Sequence, residues 1–145
     1  MFLGRYEHTL DDKGRLIIPV RYRSLLQGGA YITQGFDKNL MVLTSSDFDQ
    51  IYQSINQYSM TDPVARQLRR LLFSNADRLD FDKSGRILIP IHLRQAVQLE
   101  DTAVIVGMGR HFEIWSKALW LEYTEKSDNS EANSQHFAAI DLSLR

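Results

Sequence analysis

Residues 10–19 read LDDKGRLIIP, and residues 81–90 read FDKSGRILIP. The two stretches share an aspartate, a glycine, an arginine and a proline in the same order, and the equivalent residues are 71 positions apart. The same offset relates Arg23 to Arg94. Self-similarity at one fixed spacing indicates a duplicated structural unit. The chain of 145 residues is therefore predicted to contain two copies of one module.

The residues around the shared stretch predict a strand, a tight turn, a second strand and a short helix. Alternating polar and apolar residues over 6–10 and 79–82 are typical of half-buried strands. The glycine that follows permits the positive φ of a hairpin turn. The apolar runs 16–18 and 87–89 then fit fully buried strands. A proline ends each run and can begin a helix, which we expect over 19–27 in the first copy.

Each copy is expected to continue with a second hairpin and a closing helix. The strand pairs predicted for these hairpins are 31–33 with 40–43 and 104–106 with 112–115. Ser46 and Asp49 have the spacing of a capping box for the closing helix of the first copy. Together these elements predict a mainly β chain with short helices, which places it in the α+β class.

A helix is also predicted between the two copies, because Asp62 can cap its first turn and Pro63 suits its first position. Its predicted apolar stripe consists of Val64, Leu68, Leu71 and Leu72. The other side carries Arg66, Arg69 and Arg70, which is typical of a solvated helix face. The domain organisation that we expect is a first repeat over 1–60, a connecting helix over 61–76, a second repeat over 77–125, and a polar tail over 126–145 that is mobile as far as residue 137.

The distribution of charge is more informative than its total. The net charge is -1 and the pI is about 6.4, which argues mildly against nucleic-acid binding. However, residues 1–24 have a net charge of +2 and residues 60–95 a net charge of +3, whereas residues 116–145 have a net charge of -2. Basic character is therefore concentrated around the two shared stretches, although ordinary surface scatter would give a similar pattern.

The pair Asp-x-x-x-Arg occurs once in each copy, as Asp11 with Arg15 and as Asp82 with Arg86. A spacing of four around a tight turn brings the two side chains together near its tip. The pair could be a salt bridge that staples the turn. Alternatively, the carboxylate could orient the arginine for phosphate, or for a bidentate contact to guanine O6 and N7. The sequence leaves both interpretations open.

Catalytic and metal-binding patterns are absent from the sequence. There is no cysteine, which excludes disulfides, thiolate ligands and cysteine nucleophiles. The four histidines lack the spacing of a zinc site, and no serine lies in a Gly-x-Ser-x-Gly context. No apolar run reaches the length of a membrane span, and residues 1–5 do not resemble a secretory signal. We therefore expect a cytoplasmic protein with no enzymatic activity, metal or cofactor.

The twin Asp-x-x-Gly-Arg or Asp-Lys-Gly-Arg motifs, each followed by an apolar run and Ile-Pro, resemble the paired signatures of the MraZ family. Residues 62–72 are similar to the central helix of that family, and residues 112–115 to a strand of its second half. The opening residues 1–4 also fit. The resemblance covers about residues 1–125, and two motifs at this spacing make it specific.

The resemblance implies a fold of the AbrB-like swapped-hairpin class, in which two tandem modules form a pseudo-dimeric barrel. It also implies a ring-shaped homo-oligomer that binds short direct repeats of double-stranded DNA in the promoter of its own cell-division and cell-wall operon. Family members are transcriptional regulators, often repressors, and associate with the nucleoid. No membrane or small-molecule substrate is implied.

The residues that the resemblance carries over to DNA binding are Lys13, Arg15, Lys83 and Arg86. Those that it carries over as supporting residues are Asp11, Gly14, Asp82 and Gly85. Several turns on one ring would also reconcile DNA binding with the acidic total charge, because many weak contacts add up. The alternative is an antitoxin-like protein-interaction module of the same hairpin class, which the short tail with few apolar anchors disfavours.

Overall fold

The computed structural model describes residues 1–143, which form a mixed α+β fold of eight strands and six short helices. The strands are β1 (Arg5–Thr9), β2 (Arg15–Ile17), β3 (Ala30–Gln34), β4 (Leu40–Thr44), β5 (Asp77–Arg78), β6 (Arg86–Leu88), β7 (Thr102–Gly107) and β8 (Phe112–Ser116). The helices are α1 (Val20–Leu25), α2 (Ser45–Asn56), α3 (Pro63–Leu72), α4 (Ile91–Ala96), α5 (Lys117–Ser127) and α6 (Ser130–Phe137). None of the helices in this part of the chain is long and apolar enough to cross a membrane.

The strands form two antiparallel sheets that both contain strands from the two copies. The larger sheet has the order β1-β7-β8-β4-β3-β5, and the smaller one pairs β2 with β6. If each strand of the larger sheet is exchanged for its equivalent in the other copy, the result is the same strand order read from the opposite edge. The equivalent residues Leu16 and Ile87 lie directly opposite each other in the small sheet. The two copies are therefore related by an approximate two-fold axis that passes between β2 and β6.

The strands on either side of each shared turn pair with the other copy, and across the second turn only an isolated bridge, Phe81 with Ile87, joins the two sides of one copy. β1 pairs with β7, β5 pairs with β3, and β2 pairs with β6. The predicted hairpin is thus correct at the turn, where Asp11 N–H donates to the Arg15 carbonyl at 3.0 Å, but wrong for the strands beyond it. By contrast, the second hairpins, β3 with β4 and β7 with β8, confirm the prediction.

The main core lies between the small sheet and the inner face of the large one. Leu16 and Ile87 are fully buried at the centre of the small sheet. They belong to a single cluster that draws on both copies and includes Tyr22, Leu93 and Phe112. A second cluster on the outer face of the large sheet is formed by α2 and α3. Because the main cluster is shared, neither copy has a complete core of its own.

Three predicted boundaries differ from the structure for local reasons. Helix α2 is capped by Thr44, whose side chain accepts a hydrogen bond from Asp47 N–H at 3.1 Å, so the capping box predicted from Ser46 is wrong. The strand expected over 79–82 lies instead at Asp77–Arg78, and within the predicted span only Phe81 forms an isolated bridge. In α3, Asp62 is the N-cap as predicted, but Val64 is exposed and Ala65 takes its place among the buried residues.

The polar segment after residue 126 contains a helix. It was predicted to be mobile as far as residue 137, but α5 continues to Ser127 and α6 follows from Ser130 to Phe137. Asn129 caps α6 by accepting a hydrogen bond from Ala132 N–H at 3.1 Å, which explains where this helix begins. The last two positions of the predicted tail, 144 and 145, lie outside the described residues.

The turn glycines have positive φ angles and no room for a side chain. Gly14 has a φ of 83° and Gly85 a φ of 78°. A Cβ on Gly14 would lie 2.5 Å from the guanidinium carbon of Arg94, and a Cβ on Gly85 would collide with the guanidinium of Arg23. Each turn is therefore covered by an arginine from the other copy, and the positive φ favours glycine at the tip.

We expect Gly14→Ala and Gly85→Ala each to lower the free energy of unfolding by about 1–2 kcal/mol, because alanine is strained at positive φ. Urea unfolding followed by circular dichroism measures this change. Gly28→Ala is the matched control, since a Cβ there meets nothing within 4 Å. Equal stabilities of all three variants would contradict the assigned turn geometry.

Candidate nucleic-acid interface

The pairing of β2 with β6 brings the two shared turns together on one exposed surface, which we call the β2–β6 ribbon. In the register of this ribbon Arg15 lies opposite Leu88, and Ile17 lies opposite Arg86. The side chains of Arg15 and Arg86 are each about one-third exposed. Two arginines that are far apart in the sequence are thereby placed diagonally across from each other on one face of the ribbon.

In the first turn, Asp11 organises both the backbone and the arginine. Its Oδ1 accepts hydrogen bonds from Lys13 N–H at 3.0 Å and from Arg15 N–H at 2.8 Å. Its Oδ2 accepts a hydrogen bond from Arg15 Nε at 2.6 Å. Over residues 1–143, the terminal guanidinium nitrogens of Arg15 donate to no protein acceptor. The carboxylate therefore fixes the arginine by one edge and leaves the two terminal nitrogens available.

The second turn repeats this arrangement. Asp82 Oδ1 accepts hydrogen bonds from Ser84 N–H and Arg86 N–H, both at 2.9 Å, and its Oδ2 accepts one from Arg86 Nε at 2.8 Å. Arg86 also reaches the other turn, since its Nη1 lies 3.5 Å from Asp11 Oδ2. The two turns are thus electrostatically connected, and the structure brings together Asp11, Arg15, Asp82 and Arg86 as one group.

The hydrogen bonds lower the pKa of both aspartates below the usual value. For Asp11 the largest cause is the N–H of Arg15, and for Asp82 it is the N–H of Arg86. Each guanidinium adds to the effect. Both carboxylates are consequently ionised near neutral pH, so each arginine faces a full negative charge on one side.

The two predicted lysines occupy different positions in their turns. Lys13 is equivalent to Ser84, and Lys83 is equivalent to Asp12, because the copies are 71 residues apart. Both lysines are exposed, and neither ammonium group forms a salt bridge within residues 1–143. The turn geometry agrees that the two lysines are out of register, because Lys13 N–H and Ser84 N–H make the equivalent hydrogen bonds. Neither lysine has a lysine at the equivalent position of the other copy.

Two further arginines, Arg23 and Arg94, lie against the turns. From the sequence, Arg23 and Arg94 could either widen the basic face or be solvated helix surface; in the structure each lies against the turn glycine of the other copy and is only partly exposed. Arg94 Nε also donates a hydrogen bond to the Ile89 carbonyl at 2.9 Å. The available signal was their shared offset of 71 residues, which is the same as that of the turns that they cover.

The apolar runs after each turn were predicted to be fully buried, but this prediction is wrong for one residue of each run. Leu16 and Ile87 are buried, whereas Ile17 is 38% exposed and Leu88 is 60% exposed. Successive strand residues point to opposite faces, and nothing covers the outer face of this ribbon within residues 1–143. The outer face therefore carries two arginines and two aliphatic side chains.

Comparison with known proteins identifies relatives over the whole chain. A family model described as "MraZ protein, putative antitoxin-like" matches twice, over residues 1–71 and 72–142. A protein of Roseiflexus sp. (strain RS-1) named transcriptional regulator MraZ is 46% identical over 145 residues, which is 100% of this chain and 99% of the relative. A protein of Herpetosiphon aurantiacus with the same name is 41% identical over 143 residues, which is 98% of this chain and 100% of the relative.

The lowered pKa values predict a loss of stability in acid. The stabilisation from an ionised carboxylate with a lowered pKa is complete above the unfolded pKa of about 3.9 and disappears as the pH falls through the folded value. We expect the double variant Asp11→Asn/Asp82→Asn to be less stable than the wild-type chain at pH 7, and this difference to shrink below about pH 4.

Urea unfolding at pH values between about 7 and 3 measures this dependence. Asp12→Asn is the matched control, because it removes a carboxylate from the same turn that makes no side-chain hydrogen bond within residues 1–143, and it should follow the wild-type curve. A double variant whose stability runs parallel to the wild type over the whole pH range would contradict the prediction.

Proposed function

Since the chain belongs to the MraZ family, whose members are named transcriptional regulators, we propose that it is a sequence-specific DNA-binding regulator that contacts DNA through the β2–β6 ribbon. Its target is double-stranded DNA carrying short direct repeats in the promoter of its own cell-division and cell-wall operon. Its action there is repression, carried out in the cytoplasm at the nucleoid. Transcriptional regulation is not an enzymatic activity, and the proposal requires no cofactor.

One observation carries the proposal more than any other. The two turns have the same geometry and lie 71 residues apart in the sequence. The ribbon nevertheless places their arginines on one face, with Arg86 Nη1 at 3.5 Å from Asp11 Oδ2. A salt bridge that served only to staple its own turn would not need a neighbouring turn of the same kind. A paired presentation of arginines is what a DNA-reading surface requires.

The geometry of the arginines suits base recognition. The major groove is wide enough for a two-stranded antiparallel ribbon, and arginine pairs bidentately with guanine O6 and N7. Arg15 and Arg86 are fixed through Nε, which sets the direction of each guanidinium, although Nη1 of Arg86 also lies 3.5 Å from Asp11 Oδ2. Preorganisation of this kind lowers the entropy cost of binding. We assign base contact to the two arginines and phosphate contact to Lys13 and Lys83.

The strand exchange supports the finer classification as an AbrB-like swapped-hairpin fold that closes into a pseudo-dimeric barrel. β1, β2 and β5 all pair outside their own copy, as such a swap requires. We retain the repeat boundaries 1–60 and 77–125, the connecting helix 61–76 and the tail 126–145 as the organisation of this fold.

A homo-oligomeric ring completes the proposal. Each ribbon offers few contacts, and three aspartates in the two turns offset much of the positive charge of the lysines and arginines. One chain alone should therefore bind weakly. Several ribbons on one ring would engage neighbouring repeats, because each contact raises the effective concentration of the next.

We expect Arg15→Ala and Arg86→Ala each to weaken binding to the DNA upstream of the protein's own gene by roughly 5- to 150-fold, the range for the loss of one bidentate base contact. Fluorescence anisotropy measures the affinities, with scrambled DNA showing that the binding is specific. Arg70→Ala is the matched control, because it removes the same charge from the exposed face of α3.

Light scattering and circular dichroism should show that these variants keep the mass and the fold of the wild-type protein. If both ribbon variants bind the native DNA as the wild type does, the Asp-x-x-x-Arg pairs are structural staples and the ribbon is not the DNA-binding surface.

Binding should also weaken steeply as the salt concentration rises, because lysines and arginines that contact phosphates release counterions. We expect Lys13→Gln and Lys83→Gln each to reduce the slope of log affinity against log salt by about one. Lys126→Gln, in the exposed helix α5, is the control and should leave the slope unchanged. An affinity that stays flat between low and moderate salt would oppose phosphate contact altogether.

A further inference from the structure

We propose that Ile17 and Leu88 contact the 5-methyl groups of thymine, so that the ribbon recognises thymine as well as guanine. The inference rests on the proposed DNA-binding function and extends it, because it assigns a base-specific role to two aliphatic residues. It begins from the exposure of these side chains, which is 38% for Ile17 and 60% for Leu88.

Their exposure follows from the register of the ribbon. The buried partners on the inner face are Leu16 and Ile87, so Ile17 and Leu88 must point outwards. The two exposed residues occupy equivalent positions, 71 residues apart. A single exposed aliphatic residue is ordinary on a protein surface. Here both copies place an aliphatic residue at the same solvent-facing strand position, where a polar side chain would stay hydrated without a desolvation penalty.

Their neighbours define the surroundings. Leu88 lies directly opposite Arg15, and Ile17 lies directly opposite Arg86. Side chains directly opposite in an antiparallel pair have Cβ atoms about 4.5–5.5 Å apart. The outer face of the ribbon is therefore one patch in which each aliphatic side chain stands beside an arginine. A partner for this patch must combine negative charge or hydrogen-bond acceptors with a small apolar group.

The major groove of DNA offers that combination. Guanine presents two acceptors there, the flanking phosphates supply negative charge, and the thymine methyl is the apolar group at the base edges. Phosphates and sugars do not present an exposed methyl group against which an aliphatic side chain can pack in the major groove. Since consecutive bases are about 3.4 Å apart along each strand, an arginine and its aliphatic neighbour would contact bases within about one or two steps of each other.

The test replaces thymine by deoxyuridine in the DNA upstream of the protein's own gene, which removes the methyl groups and leaves base pairing intact. We expect the wild-type chain to bind the deoxyuridine duplex about fourfold more weakly for each methyl group that it contacts, the value for one buried methyl-sized group. Leu88→Ala and Ile17→Ala should bind normal DNA more weakly, and each should lose part of the difference between the two duplexes.

Leu25→Ala is the matched control, because Leu25 is an exposed leucine of α1 that lies outside the ribbon. It should keep the full difference between thymine and deoxyuridine DNA. The comparison is a double-mutant cycle between one side chain and one methyl group, so a general loss of affinity or stability cancels. Thermal unfolding of each variant shows that the substitutions preserve the fold.

Two results would overturn the inference and leave the proposed function intact. The first is wild-type protein that prefers its native DNA, depends on Arg15 and Arg86, and binds both duplexes equally. The second is a deoxyuridine effect that persists unchanged in Leu88→Ala and Ile17→Ala; a fall in oligomer mass in these variants would then identify the patch as a protein interface. Wild-type protein with no preference for native DNA would instead overturn the proposed function, and the inference with it.

Discussion

The antiparallel pairing of β2 with β6 is the interaction on which the rest of the structure depends. It joins the two copies at their shared motifs, and it is reinforced by hydrogen bonds from Ile18 N–H to the Gly85 carbonyl and from Ile89 N–H to the Gly14 carbonyl. Buried backbone groups require partners, and those of each short strand are supplied by the other copy. Neither half can therefore complete its core alone, and the geometry of both turns is determined by the same contact.

This contact also explains why stapling a turn and presenting an arginine are compatible. Asp11 uses its two oxygens to hold the backbone of its turn and the Nε of Arg15, which is a structural task. The same bonds fix the direction of the guanidinium. An arginine held by its inner edge keeps its two terminal nitrogens for another partner. The two interpretations that the sequence left open are therefore compatible, because they concern opposite edges of one side chain.

The sequence predicted whatever depends on local interactions. The turn glycines, the hairpins β3–β4 and β7–β8 and the Asp62 cap all rest on residues close together in the chain, and the duplication was visible as a repeated residue pattern. Strand partners that lie in the other copy, such as β7 for β1, leave no local signal, because alternation indicates a strand without naming its neighbour. The exposure of Leu88 was missed for a related reason: an apolar run looks buried until it is known that one face of the sheet is uncovered.

The departures from symmetry bear on how the ribbon would contact a directional site. A DNA-binding protein with exact two-fold symmetry favours a palindromic site, because the symmetry of the site mirrors that of the protein. The exposed positions of the ribbon and its turns depart from symmetry at three equivalent pairs: Asp12 with Lys83, Lys13 with Ser84, and Ile17 with Leu88. The second turn is consequently one charge unit more positive than the first at these positions. If the ribbon binds DNA as proposed, its two orientations on one stretch of DNA would therefore differ in energy, as recognition of the proposed direct repeats would require.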